Sequence, residues 1–180
     1  MDYPKIVNAI ANILKEYDLE KPIFKEYKPG IGPFGEPQIV RIIADRLGFL
    51  TLPAKTKRTP DLEIGTDWAI EFKIVRPFGD NGKEAENWTV NLLHPYPGNI
   101  SLIGDAFKLK ELPKYNRKGL FVIGYEHEPV KISLDPLISS FESIARNVVK
   151  LNLGTRIEER RQELVHPEHQ VVRCFAWELF

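Results

Sequence analysis

Residues Thr59 to Lys73, TPDLEIGTDWAIEFK, decide how this chain folds. Two short runs of alternating apolar and polar residues flank Gly65-Thr66-Asp67. If those three residues form a hairpin turn, Ile64 faces Trp68, Glu63 faces Ala69, Leu62 faces Ile70 and Asp61 faces Glu71. Side chains alternate with a period of two, so one side of the ribbon carries Leu62, Ile64, Trp68, Ile70, Phe72 and Ile74. The other carries Asp61, Glu63, Glu71 and Lys73. A two-residue turn would slip the register by one and mix apolar and charged side chains on both faces. The pattern therefore selects the register that gathers the carboxylates.

Two carboxylates directly opposite each other repel unless a cation lies between them or one is protonated. A hard divalent cation is the simplest relief. Mg2+ is bound by few carboxylates, keeps several waters and accepts phosphate oxygens as further ligands. That suits Asp61, Glu71 and the Phe72 carbonyl, with Lys73 two residues on to hold a water or balance phosphate charge. The competing reading is a solvated outer hairpin face whose ion pairs contribute little. It fits poorly with a sheet covered by helices on both sides.

Outward from the hairpin, apolar spacing predicts a helix over residues 5–17, through Ile6, Ile10, Ile13 and Leu14. Prolines and glycines break the next stretch into a connector. A second helix follows at EPQIVRIIADRLGF, with Pro37 in its first turn and Gly48 at its stop. After the hairpin, residues 77–99 hold too many Gly, Pro and Asn for regular structure and read as a long functional or mobile loop. Ser101 then caps a helix to about Leu112, and GLFVIGY (119–125) reads as a strand buried on both faces. Asp135 and Pro136 open a further helix, RIEERRQEL (156–164) reads as a charged helix, and QVVRCFAWELF is the last strand. The order implies an α/β fold with a mixed central β-sheet flanked by helices on both faces, since a strand–helix–strand unit needs a crossover.

The 180 residues suit a single domain spanning 1–180, and no apolar stretch is long enough to span a bilayer. The N-terminus lacks the basic start and apolar block of a secretory signal. Cys174 stands alone, which excludes an internal disulfide and makes a reducing cytoplasm the expected compartment. With 25 basic and 25 acidic residues the net charge is zero, so contact with a polyanion has to come from local clustering.

Pro60-Asp61 followed by Glu71-Phe72-Lys73 on adjacent strands after a helix resembles the PD-(D/E)xK nuclease superfamily, the restriction-endonuclease-like fold. The likeness covers a core of about 36–127, leaving the N-terminal helix and the C-terminal helix and strand as additions. It implies a metal-dependent endonuclease hydrolysing DNA phosphodiester bonds in restriction or repair. Asp61 and Glu71 would be metal ligands with the Phe72 carbonyl, Lys73 the residue that positions or activates the attacking water, and Glu36 the further acid on the preceding helix. Mg2+ would be the cofactor, with Mn2+ as a substitute, DNA the partner, and a two-fold homodimer would suit symmetric duplex sites. The alternative is a catalytically inactive nuclease-like subunit that binds DNA or assists assembly.

Glu36 is also what the dipole at a helix start favours without chemistry. Glu63 is either an extra ligand or a polar residue near the turn. Lys55, Lys57 and Arg58 precede the acids, where they could neutralise phosphates flanking a cut, or form a solvated edge. Lys108 and Lys110 either approach the metal site or mark the exposed side of a helix. Trp88, His94 and Tyr96 could stack on bases or anchor their own loop. His166 and His169, near Cys174, lack the second ligand pair that a zinc site needs.

Overall fold

The computed structural model describes residues 2–50, 53–96, 98 and 100–180, with Phe49 described by its backbone. Six strands form one mixed sheet in the order β1-β2-β3-β4-β6-β5. Its centre is β3 (Trp68–Val75) paired in parallel with β4 (Arg117–Glu126), as the predicted crossover requires. β1 (Ala54–Thr56) and β2 (Leu62–Ile64) extend one side antiparallel; β6 (Val171–Leu179) and β5 (Ile157–Arg161) extend the other.

Helices cover both faces because both faces of β4 are apolar and β3 adds apolar side chains to each. On one side, α1 (Tyr3–Leu19) and α2 (Glu36–Phe49) bury Ile6, Ile10, Leu14, Ile39 and Ile43 against Leu62, Ile70, Phe72 and Phe121. On the other, α4 (Leu102–Lys110) and α5 (Asp135–Ser143) pack Ile103, Ala106 and Phe141 against Ala69, Val122 and Trp177. A short α3 (Val90–Leu93) precedes α4. No described helix is long and apolar enough to cross a membrane.

Local signals explain the helix starts. Asp2 caps α1 by accepting from the Lys5 N–H at 3.3 Å, and Ser101 caps α4 by accepting from the Gly104 N–H at 3.1 Å. Tyr3 stacks on Trp68 with centroids 4.6 Å apart, and its hydroxyl donates to the Leu120 carbonyl at 3.0 Å. Gly119 permits that approach, since a Cβ there would lie 2.3 Å from the Tyr3 hydroxyl oxygen.

The hairpin register is the one the polarity pattern selects: Leu62 opposite Ile70, Glu63 opposite Ala69, Ile64 opposite Trp68. Other expectations are corrected. RIEERRQEL is not a helix, because residues 157–161 form β5, an edge strand paired with β6. Glu and Arg favour helix locally, but Ile157, Glu159 and Arg161 alternate with the more exposed Glu158 and Arg160, a period of two. Cross-strand charge supports the pairing: Arg173 contacts Glu158 at 2.6 Å. The helix from Asp135 passes into a π-helical turn at Ile144–Val148. The loop after β3 is partly ordered by α3 and by a bridge between Phe78 and Glu84, while Pro97 and Asn99 lie outside the described residues.

Candidate active site

Asp61 sits one residue before β2, where the backbone ladder with β3 ends at Leu62. Its carboxylate continues the pairing by other means: Oδ2 accepts from the Phe72 N–H at 2.8 Å. This fixes Asp61 across from Glu71. Glu71 and Lys73 point to the α4 side of β3, because their neighbours Phe72 and Ile70 fill the α2 side.

Both side chains are buried, Glu71 to 4% exposure and Lys73 to 9%. The solvated-hairpin reading therefore fails. Burial pushes the Glu71 carboxyl well above the usual carboxylate range, and the adjacent charge of Asp61, a hydrogen bond between the two side chains and the charge of Asp105 push it further. Lys73 lowers it only in part. Burial and the opposed charge therefore favour the protonated form of Glu71, one of the two reliefs that their juxtaposition demands.

Lys73 lies in a net of acceptors. Its ammonium is 2.7 Å from Asp105 Oδ2, 3.0 Å from the Phe72 carbonyl oxygen, to which it donates, and 3.4 Å from Glu36 Oε1. Burial alone would lower its pKa, but the charges of Glu36 and Asp105 outweigh that and hold it above the ordinary lysine value. Lys73 is thus a fixed cation. It can orient a water or a phosphate oxygen, but it is not poised to take a proton.

Glu36, the first residue of α2, reaches this cluster, and burial raises its pKa while Lys73 partly offsets the rise. Asp105 was not foreseen. It belongs to α4, is 7% exposed and binds Lys73 and Lys108, each at 2.7 Å. The only sequence signal was an acid three residues before Lys108 on the helix after the loop. An open cleft of about 410 Å³ brings together Glu36, Arg58, Asp61, Glu71, Lys73, Asp105 and Lys108. Asn91 of α3 and Ile100 close its other wall, so the long loop does contribute to the site.

Several expected residues fall elsewhere. Glu63 is held by Lys57, Tyr115 and Lys114, which push its pKa down to about 2, and it does not line the cleft. Lys57 is correspondingly engaged with Glu63 and Tyr115. Lys55 is exposed on β1, in register with Glu63. Lys110 is exposed past the cleft. Trp88 packs on the second core, and His94 meets Tyr96 edge to face at 5.7 Å. His166 and His169 are stacked and buried: His166 donates from Nε2 to Asp80 at 2.8 Å and His169 donates from Nε2 to the Phe78 carbonyl at 2.9 Å. Cys174 is buried in β6, and burial pushes its thiol up, which leaves it inert.

Among the described residues, no three His, Cys, Asp or Glu side chains are grouped to hold a metal ion. The donors at the hairpin are two carboxylates and one carbonyl. All are oxygens, and a hard cation that retains several waters needs no more than one or two carboxylates. The donor set fits Mg2+ or Mn2+ on that basis, and binding would displace the proton that burial favours on Glu71. No protein-family model, curated protein or solved structure matches this chain.

Proposed function

We propose that this protein is a metal-dependent phosphodiesterase acting on DNA, built on a restriction-endonuclease-like core with the PD-(D/E)xK arrangement. The observation that carries this reading is the half-buried Asp61 opposed to the buried Glu71, set beside an ammonium that three acceptors hold in place. Two opposed carboxylates in an open cleft, one of them with its pKa raised by burial and by the charge of the other, are the kind of perturbed cluster that favours a chemical role. The succession α2, β2–β3 hairpin, α4 and parallel β4 is similar to the common core of that superfamily and supports the same reading.

Asp61, Glu71 and the Phe72 carbonyl would hold Mg2+, which when bound lowers the pKa of a water and stabilises charge on the phosphorane-like transition state. Hydrolysis forms one P–O bond from a water that gives up a proton to solvent, and breaks the bond to the leaving deoxyribose oxygen, which takes a proton from solvent. Lys73 donates to the attacking water or to a non-bridging phosphate oxygen, and its raised pKa keeps that donor present at neutral pH. Asp105 and Glu36 hold the ammonium over the site. They are positioning residues, acting through Lys73.

The test is cleavage of supercoiled plasmid with Mg2+, Mn2+ or EDTA. Cutting in either metal, none in EDTA and none by Lys73→Ala is the expected result. An inert wild type whose Lys73→Ala variant retains DNA equally well without metal would instead favour the inactive DNA-binding subunit.

A further inference from the structure

A second open cleft, of about 470 Å³, adjoins the first and shares Glu36, Arg58 and Asp61 with it. It runs between the start of α2, at Pro37, Val40 and Arg41, and the end of β1, at Thr56 and Lys57. The two volumes therefore form one groove that passes over Asp61.

The cations around this groove differ in whether their charge is already balanced. Lys57 is paired with Glu63 and Lys108 with Asp105. Arg41 and Arg58 are exposed, and neither has a carboxylate partner among the described residues. Glu36 and Asp61, at the junction, repel a phosphate that is not itself accompanied by a cation. A polyanionic strand crossing the junction is therefore drawn to its other side by the two arginines, whose guanidinium groups match phosphate oxygens in fork geometry.

We infer that this second cleft is the binding track for the nucleic-acid strand flanking the scissile phosphate, with Arg41 and Arg58 as the residues that neutralise the adjoining phosphates. Pro37 gives the track an apolar edge suited to a sugar or base face. The inference rests on the phosphodiesterase reading for which strand is held. The track itself requires only the groove and the two unbalanced cations.

Each phosphate contact adds about 0.9 to the slope of log affinity against log salt for duplex DNA. Anisotropy of a fluorescein-labelled duplex oligodeoxynucleotide, measured in EDTA across a salt series, reads that slope without cleavage. Arg41→Ala and Arg58→Ala should each lower it by about 0.9, so that raising salt fourfold weakens either variant about 3.5-fold less than wild type. Arg41→Lys should restore the slope, which a folding defect would not allow. Alanine variants that keep the wild-type slope, or a wild type that binds no DNA at low salt, overturn the track. A wild type that shows the expected slopes but never cuts plasmid sinks the phosphodiesterase reading and leaves the track standing. Normal cutting with unchanged slopes sinks the track alone.

Discussion

Glu71→Gln should stabilise the protein progressively as pH rises. Burial and the neighbouring charges of Asp61 and Asp105 hold the Glu71 proton far above its ordinary value of 4.5. An unfolded chain gives up that proton near pH 4.5, so above it the native state binds more protons than the unfolded state, and stability falls as pH increases. The slope is at most about 1.4 kcal/mol per pH unit for one proton. Glutamine is nearly isosteric, can donate to Asp61 and does not titrate, so the variant should lack this loss. For a chain of this size about 1 kcal/mol moves Tm by about 3 °C. The gap between variant and wild type should therefore open by up to about 4 °C per pH unit above pH 5. Thermal unfolding in EDTA from pH 5 to pH 8 measures it. A gap that stays constant over the range would show that Glu71 is ionised throughout, and the raised Glu71 pKa would be wrong.

Lys73→Ala should lower plasmid cutting by about 100-fold or more, the loss that follows removal of one fixed donor at a developing charge; initial rates over a Mg2+ series measure it. Asp105→Asn removes the buried carboxylate that anchors Lys73 and Lys108, and should cost about 2 kcal/mol of stability by urea unfolding. It should also shift the pH profile of cutting, because the Lys73 ammonium loses one of the charges holding its pKa up. Gly119→Ala drives a Cβ into the Tyr3 hydroxyl and should destabilise by about 2 kcal/mol while leaving the hairpin site intact. Metal affinity, by calorimetric Mn2+ titration, should strengthen as pH rises, because binding at Glu71 expels the proton that its raised pKa retains.

The hairpin was legible because polarity must match across a ribbon, and only one register satisfies Leu62, Ile64, Trp68, Ile70, Asp61 and Glu71 together. The crossover to β4 was legible because an apolar run with no polar alternation has to be buried on both faces. β5 was misread because Glu and Arg are strong helix formers, and only pairing with β6 and packing on α1 override that preference. β1 was missed because three residues of polar edge strand carry no pattern of their own. In the site, the residues that converge from one ribbon were readable, whereas Asp105 was not. Its role arises where α4 crosses β3, a contact between residues 32 positions apart in the chain, and nothing local distinguishes it from a solvated helix acid. The same long-range pairing decided which lysines are spoken for: Lys57 by Glu63, Lys108 by Asp105.

Anomalous diffraction from crystals soaked in Mn2+ tests the central claim most directly. A single strong peak coordinated by the Asp61 and Glu71 carboxylates and the Phe72 carbonyl is the result expected, and it should vanish in Asp61→Asn. A peak elsewhere, or none at saturating Mn2+ with Glu71 still hydrogen-bonded to Asp61, would contradict it.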